Sequence, residues 1–450
     1  MQCFKKILTV LLWPVVSATV FTSQTLCAED LIQAYHHALS HSPSWRAAEY
    51  KYRADQQVTG LSKANLLPKV TFSAHKSYSG RTYPIRPNDV LAPRKVDSFN
   101  NLTASLEFRQ PLFDLENWIQ HKKSKPLTKA SKTELNAAKQ DLMIEVVISY
   151  FNVLKTVTDV IFSDMEHAAI RKQLEQTQQR HKAGVTAQTE VEEAQAVYDL
   201  SKIDVILAAN GLAIEKEMFE SLTGSSAVGL YPLKDSSEIE TLSLLTAAEW
   251  AGIAQRNNLQ VRQAELNLES AQYESNLQKS KHLPRLDLTA NYDYISASGG
   301  FFAHSKLSNI ALQVNLPLYS GGSVRIKAQQ ARYLESAQKQ QLQLALRIAT
   351  QETKNLYRTV MTDVQRVSAR RQAIKSSQSA LRATHTGYKE GIRNVVDVLQ
   401  AQRNYFAAKR DYAYARFDYL VDYLRLRHSA GILTVDDLVA FNQFLDPEGE

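Results

Sequence analysis

The chain repeats itself at long range. Leu67-Pro68-Lys69 opens one alternating stretch and Leu283-Pro284-Arg285 another, with 216 positions between the two prolines. Gln110-Pro111-Leu112-Phe113 closes the first stretch and Leu316-Pro317-Leu318-Tyr319 the second, 206 apart. Lys182-Ala183-Gly184-Val185 returns as Lys389-Glu390-Gly391-Ile392 and Leu222-Thr223-Gly224 as Ser429-Ala430-Gly431, both at 207. Gly184 to Gly224 and Gly391 to Gly431 each measure 40 residues. Self-similarity at this length means two copies of one structural unit. Each reads as helix, two strands, a very long helix, a turn and a further helix. The boundaries fall at 29–240 for the first repeat and 241–445 for the second, with a short acidic tail at 446–450.

The helices follow from what is missing. After Pro317 no proline occurs until Pro447, and between Ser323 and Ala430 the glycines are Gly387 and Gly391. That spacing predicts a helix of about 65 residues, roughly 100 Å at 1.5 Å per residue. The first half predicts its equal from Asp114 to Lys182, bent near its start by Pro126. Leu346, Thr353, Val360, Val367, Ile374, Leu381 and Tyr388 form a seven-residue row down the second long helix. Val398, Tyr405, Tyr412, Tyr419 and Leu426 continue it on the next, beside Ala401, Ala408 and Ala415. A sustained seven-residue period imposes left-handed supercoiling, and alanines permit close approach.

The strand blocks have period two. Val70, Phe72 and Ala74 alternate with Lys69, Thr71 and Ser73; Leu102, Ala104, Leu106 and Phe108 alternate with Thr103, Ser105, Glu107 and Arg109. Leu286, Leu288, Ala290, Tyr292 and Tyr294 interleave with Asp287, Thr289, Asn291 and Asp293, and Ile310, Leu312, Val314 and Leu316 with Gln313 and Asn315. Runs of about ten residues suit tilted membrane strands, and equally a half-buried hairpin of a soluble sandwich. Four strands cannot close a membrane barrel alone, because an open edge in lipid leaves backbone groups unpaired.

Residues 1–28 have the order of a cleaved secretory signal: Lys5 and Lys6, an apolar run from Ile7 to Val20, and Leu26-Cys27-Ala28 as a small-residue exit. Cleavage after Ala28 removes Cys3 and Cys27, the chain's two cysteines, which excludes disulfide scaffolds and cysteine-ligated metals. Gln24-Thr25-Leu26 lacks the small residue expected before a lipidated cysteine. The formal net charge of +7 falls to +5 without Lys5 and Lys6, and no basic cluster is interleaved with aromatics, so nucleic acid is not an expected partner. No later segment has 18 consecutive apolar residues, which leaves strands as the expected means of membrane insertion.

Several stretches resemble one family. They are Glu29-Asp30-Leu31-Ile32-Gln33-Ala34-Tyr35, Ser149-Tyr150-Phe151-Asn152-Val153-Leu154, Gln173-Leu174-Glu175-Gln176-Thr177, His282-Leu283-Pro284-Arg285-Leu286-Asp287-Leu288-Thr289-Ala290 and Leu318-Tyr319-Ser320-Gly321-Gly322. Gly391-Ile392-Arg393-Asn394-Val395-Val396-Asp397-Val398-Leu399-Gln400-Ala401 carries the likeness furthest, to Leu438. Over residues 29–445 the chain resembles the outer-membrane factor family, the outer membrane efflux proteins. The resemblance implies a mixed α+β membrane protein. Its homotrimer forms a 12-stranded outer-membrane β-barrel and a 12-helix periplasmic α-barrel. It also implies a passive duct for drug efflux or type I protein secretion, partnered by a periplasmic adaptor (membrane fusion protein), an inner-membrane transporter and outer-membrane lipid, with no cofactor and no enzymatic chemistry.

The resemblance places a periplasmic gate at the helix turns. Tyr388 and Arg393 match inner-helix linkers, and Thr189 and Glu190 match their partners on the neighbouring helix. Asp397 matches an acidic ring that focuses a field for cations, and Gln400 stands where the family often has a second aspartate. Asp397 also reads as a solvated helix-start acid, stabilising by about 0.3–1 kcal/mol. Gly184, Val185, Gly391 and Ile392 are the adaptor-contact tips. Ser79 to Asn100, with Arg81, Arg86, Arg94 and Lys95, is expected to be an extracellular loop, and Ser296 to Ser305 its shorter counterpart. Val70, Phe72, Leu288, Tyr292, Leu312 and Val314 are expected to face lipid, and Asp287, Asn291 and Asn315 the lumen.

His36, His37 and His41 share a helical face but have no carboxylate at matching spacing, so they read as surface residues. No phosphate loop, dinucleotide glycine motif or H-E-x-x-H occurs, nor a nucleophile elbow. The alternative of another class is a soluble periplasmic coiled-coil adaptor or scaffold. It accounts for the helices and leaves the hairpins unexplained.

Overall fold

The computed structural model describes residues 29–82, 96–227, 229–234, 245–297 and 304–446. The signal segment 1–28, the residues around the 240/241 boundary, most of both expected loops and the tail beyond Asp446 lie outside these residues.

The duplication is visible element by element. The first half runs α1 (Leu31–His41), α2 (Pro43–Ala64), β1 (Lys69–Thr82), β2 (Val96–Phe113), α3 (Leu115–Lys182) and α4 (Gln188–Thr223). The second runs α5 (Ala247–Asn257), α6 (Leu259–Ser280), β3 (Arg285–Ala297), β4 (His304–Asn315), α7 (Ser323–Lys389) and α8 (Val395–Ser429), followed by α9 (Val435–Asn442). Helices α3 and α7 have 68 and 67 residues, and α4 and α8 have 36 and 35. The helix that opens each unit is two helices, of 11 and 22 residues in both halves. Caps cause the break. Ser42 precedes Pro43 and its Oγ accepts from Trp45 N, while Asn258 Oδ1 accepts from Gln260 N at 2.9 Å and Val261 N at 3.1 Å.

Pro126 does not break α3. Its ring is buried, and the helix continues across it with one backbone hydrogen bond fewer. By composition alone one described helix, α3, is long and apolar enough in one stretch to cross a membrane. Its central side chains Leu142, Met143, Val146, Val147, Tyr150 and Phe151 instead form the middle of the main core.

The four strands make one antiparallel sheet in the order β1-β2-β3-β4, so the two halves meet at β2–β3. Register unites the alternations into two faces, since directly paired residues point the same way. Val70, Phe108, Ala290 and Ile310 lie in one row, and Phe72, Leu106 and Tyr292 in the next. On the other face Thr71, Glu107, Asn291 and Asn309 form a row, as do Asp287 and Gln313. Arg109 Nη2 lies 2.8 Å from Asp287 Oδ2 across that polar face. A register shift between Pro111 and Phe113 accommodates the proline at the foot of β2. The strands outrun their expected length. Pairing continues through Tyr78↔Asn100 to Thr82↔Val96, so both ends of the expected Ser79–Asn100 loop are strand. Backbone hydrogen bonds do not depend on side-chain polarity, and the apolar alternation understates where pairing ends.

Halfway along α3 sits a core that the sequence reading did not isolate. It gathers α1, α5, α9, mid-α3 and the last turns of α4 and α8, with Trp250, Tyr35, Tyr150, Phe219 and Leu438 fully or almost fully buried. The Tyr150 hydroxyl lies 3.1 Å from Glu29 O and 3.0 Å from Tyr231 O, tying both segments to α3. Thr353, Val360, Val367 and Tyr388 of the α7 row are buried, as are Val398, Ala408, Ala415, Tyr419 and Leu426 on α8. The seven-residue seam is therefore the packing surface of this hairpin.

Candidate functional site

The two helical hairpins, α3–α4 and α7–α8, end in the same turn. Val185 N donates to Arg180 O at 2.9 Å and Gly184 N to His181 O at 2.8 Å. Ile392 N donates to Gly387 O at 2.8 Å and Gly391 N to Tyr388 O at 3.2 Å. Both turns need a left-handed residue, supplied by Gly184 at φ 72° and Gly391 at φ 77°. Space around both glycines is open, and Val185 and Ile392 beside them are 63% and 74% exposed. Apolar residues at two exposed turns suit contact with another protein.

Beyond each turn the halves diverge. Asn394 caps α8: its Oδ1 accepts from Asp397 N at 2.8 Å, and Asp397 Oδ2 accepts from Asn394 N at 3.4 Å. Arg393 Nη1 stands 3.7 Å from Asp397 Oδ2. The first half has Ala187 at the capping position, without a side-chain cap. Glu190 occupies the place of Asp397, 207 positions earlier, and its Oε2 is buried without a hydrogen-bond partner. Thr189 is exposed, and exposed Gln400 donates from Nε2 to Asn404 Oδ1 at 3.0 Å.

Tyr388 is 6% exposed and belongs to an apolar cluster with Ile170, Leu174, Ala194, Val395, Val398 and Leu399, which joins the two hairpins near their tips. Its hydroxyl has no hydrogen-bond partner, and the Arg180 guanidinium lies 4.6 Å from its ring centre. Within one chain, then, the expected links from Tyr388 and Arg393 to Glu190 and Thr189 are not formed. Arg393 is drawn to Asp397, four positions on and one turn away, and Tyr388 packs by its ring face. Sequence reasoning missed Arg180. The signal for it is an arginine in the last turn of α3 where the repeat has Gly387. Of the three N-terminal histidines, His37 faces Glu29 at 4.0 Å, and His41 lies where a side chain on Gly224 would be.

A family model described as outer membrane efflux protein matches residues 34–225 and 250–432. Over 433 residues the chain is 30% identical to the outer membrane protein TolC of Vibrio cholerae, spanning 95% of this chain and 96% of that protein. It is 25% identical over 418 residues to the alkaline protease secretion protein AprF of Pseudomonas aeruginosa, spanning 91% and 86%. Among solved structures, CusC superposes with a TM-score of 0.78 over 90% of this chain and 92% of that one, at 17% identity. The outer-membrane channel OprN gives 0.75 over 89% of both, at 18% identity. At such identities the structures speak for the fold alone.

Proposed function

The chain belongs to the outer membrane efflux protein family, and on that premise we propose that three copies assemble into one continuous duct. The protein is an outer-membrane channel of a tripartite export system that reaches into the periplasm, and its family is one of channel proteins rather than enzymes. The observation that carries the trimeric reading is the four-stranded sheet, in which neither β1 nor β4 has a second partner among the described residues. In lipid such edges leave N–H and C=O groups unsatisfied, and pairing β4 of one copy with β1 of the next removes them. Three copies give twelve strands. The face bearing Val70, Phe72, Leu312 and Val314 then meets lipid, and the face bearing Asp287, Asn291 and Asn315 meets the lumen.

Below the sheet, α2 and α4 lie along successive parts of α3, and α6 and α8 along α7. Each copy thus contributes four helical tracks, and three copies make a twelve-helix barrel. Leu200, Ile203, Leu207 and Ile214 recur at helical spacing on the exposed face of α4, as an interface between copies requires. Residues 29–240 and 241–445 are the two repeats, preceded by a cleaved signal at 1–28 and followed by a tail at 446–450. The turns at Gly184, Val185, Gly391 and Ile392 dock to a periplasmic adaptor that couples the duct to an inner-membrane pump. Thr189, Glu190, Tyr388, Arg393, Asp397 and Gln400 line the gate, with Arg393 of one copy meeting Thr189 and Glu190 of the next. Cargo, protein or small molecule, is set by the pump.

The test is the mass and conductance of the detergent-extracted protein. Light scattering should give three chains, and planar bilayers should show discrete ion-conducting steps. A monomeric mass without conductance refutes the shared barrel.

A further inference from the structure

We propose that Arg180 is the positioning residue of the closed entrance. It holds the α7–α8 tip against the α3–α4 tip by seating its guanidinium on the ring of Tyr388. The inference deepens the gate reading above and rests on it.

Three observations lead there. Arg180 Nε is buried without a hydrogen-bond partner, although a cationic N–H shut away from water needs compensation. The compensation present is the ring face of Tyr388, 4.6 Å away. The Tyr388 hydroxyl likewise has no partner, so the ring and not the hydroxyl carries the contact. Lastly, the pair breaks the internal symmetry. The residue 207 positions after Arg180 is Gly387, and that 207 before Tyr388 is His181, so the reciprocal contact cannot form. Gly387 is itself constrained, because a Cβ there would stand 3.0 Å from Arg393 Cγ.

The helix end favours a cation here. Arg180 lies in the last turn of α3, where the helix dipole attracts positive charge. The cleft of about 730 Å³ between the hairpins, lined by Arg180 and Tyr388, also holds Lys172, Lys389 and His385 with a single acid, Glu175, so nearby like charge opposes the guanidinium and the ring face is what seats it. The apolar cluster beneath Tyr388 supplies non-directional adhesion between the tips. The guanidinium fixes the angle at which the ring seats.

The experiment uses the full-length trimer in nanodiscs, with spin labels at Val185 and Ile392 and labelled chains diluted among unlabelled ones so that only distances within one chain are read. Conductance is recorded on the same variants. Arg180→Gln and Tyr388→Leu should lengthen and broaden the distance between tips and move the closed-to-open ratio by roughly 2–10-fold per chain. Arg180→Lys should recover part of the closed state, and Tyr388→Phe, which keeps the ring, should leave the distance between tips as in wild type. The clamp is overturned if Arg180→Gln leaves the distance unchanged, or if Tyr388→Phe broadens it as much as Tyr388→Leu. If the distances respond as expected while conductance does not, the clamp stands and the assignment of these tips as the entrance falls. If Arg393→Ser raises conductance while Arg180→Gln alters neither readout, the gate stands and the clamp falls.

Discussion

Asp363 on α7 lies beside Asp422 on α8 where the two helices pack, with Asp363 only 2% exposed and its Oδ2 without a hydrogen-bond partner. Arg366 Nη2 lies 2.6 Å from Asp363 Oδ1 and 3.3 Å from Asp418 Oδ2, Asp418 Oδ1 lies 2.5 Å from Lys155 Nζ on α3, and Arg425 Nη1 lies 2.9 Å from Asp422 Oδ1. Three acids and three bases thus join three helices, yet burial dominates at Asp363 and pushes its carboxyl up to about 6.

The sign of the pH dependence follows. The folded chain holds a proton on Asp363 that the unfolded chain releases near pH 4, so this contribution is complete below about 4 and is lost as pH rises through about 6. Asp363→Asn keeps the shape of the side chain without a titrating proton. It should be more stable than wild type at pH 8, by on the order of 1 kcal/mol per chain, and indistinguishable near pH 4. Thermal unfolding of both proteins across that range measures it. Equal pH dependence in the two would dissociate Asp363 from the effect.

The glycines that end α4 and α8 should behave unlike those at the tips. Gly224 and Gly431 have φ of 72° and 73°, and a Cβ on Gly431 would lie 2.2 Å from the backbone oxygen of Asn257. At Gly224 the obstacle is the His41 ring, which can rotate away. Gly431→Ala should therefore destabilise by several kcal/mol, Gly224→Ala by less, and Gly184→Ala or Gly391→Ala by about 1 kcal/mol of backbone strain alone. Denaturant titration ranks them. A bulky residue at Gly391 should abolish export while leaving the trimer intact.

The two faces of the sheet make a chemical prediction. Single cysteines at Val70, Phe72, Leu288, Tyr292, Leu312 and Val314 should react with a membrane-partitioned maleimide, and those at Asp287, Asn291 and Asn315 with an impermeant one. Register makes this a test of the whole sheet, since a one-residue slip would exchange the faces of a strand. Uniform labelling of both sets would refute the barrel.

Sequence made the long helices and the duplication legible because both rest on simple rules. Proline and glycine are absent over long spans, and a seven-residue row puts Thr353, Val360 and Val367 on one buried seam. Sheet register followed less directly, because alternation reveals faces and not partners. The pairing of Phe108 with Ala290 is what fuses the two repeats. The central core was hidden for a different reason. Tyr35, Trp250 and Phe441 sit on three short helices far apart in the chain, and no local period links them. The contact of Arg180 with Tyr388 is less legible still, since 208 positions separate two residues whose meeting depends on how two hairpins pack.

At the entrance, Asp397 and Arg393 should act in opposite senses. In the proposed assembly a threefold axis would bring three Asp397 carboxylates together, and Gln400 would offer no second ring, so the cation field there would rest on a single acid per chain. Arg393 stands 3.7 Å from that acid and offsets part of its charge. Both groups are partly exposed, so their attraction is worth at most about 1 kcal/mol, and the expected changes are correspondingly moderate. Asp397→Asn, which preserves a capping side chain, should weaken block by multivalent cations several-fold. Arg393→Ser should raise single-channel conductance by loosening contacts between copies, and should also strengthen cation block, because the ring is no longer neutralised. Planar-bilayer recordings with graded additions of a trivalent cation separate the two effects. If block in Asp397→Asn equals that of wild type, the ring lies elsewhere. If Arg393→Ser weakens block, the arginine is organising the ring rather than screening it.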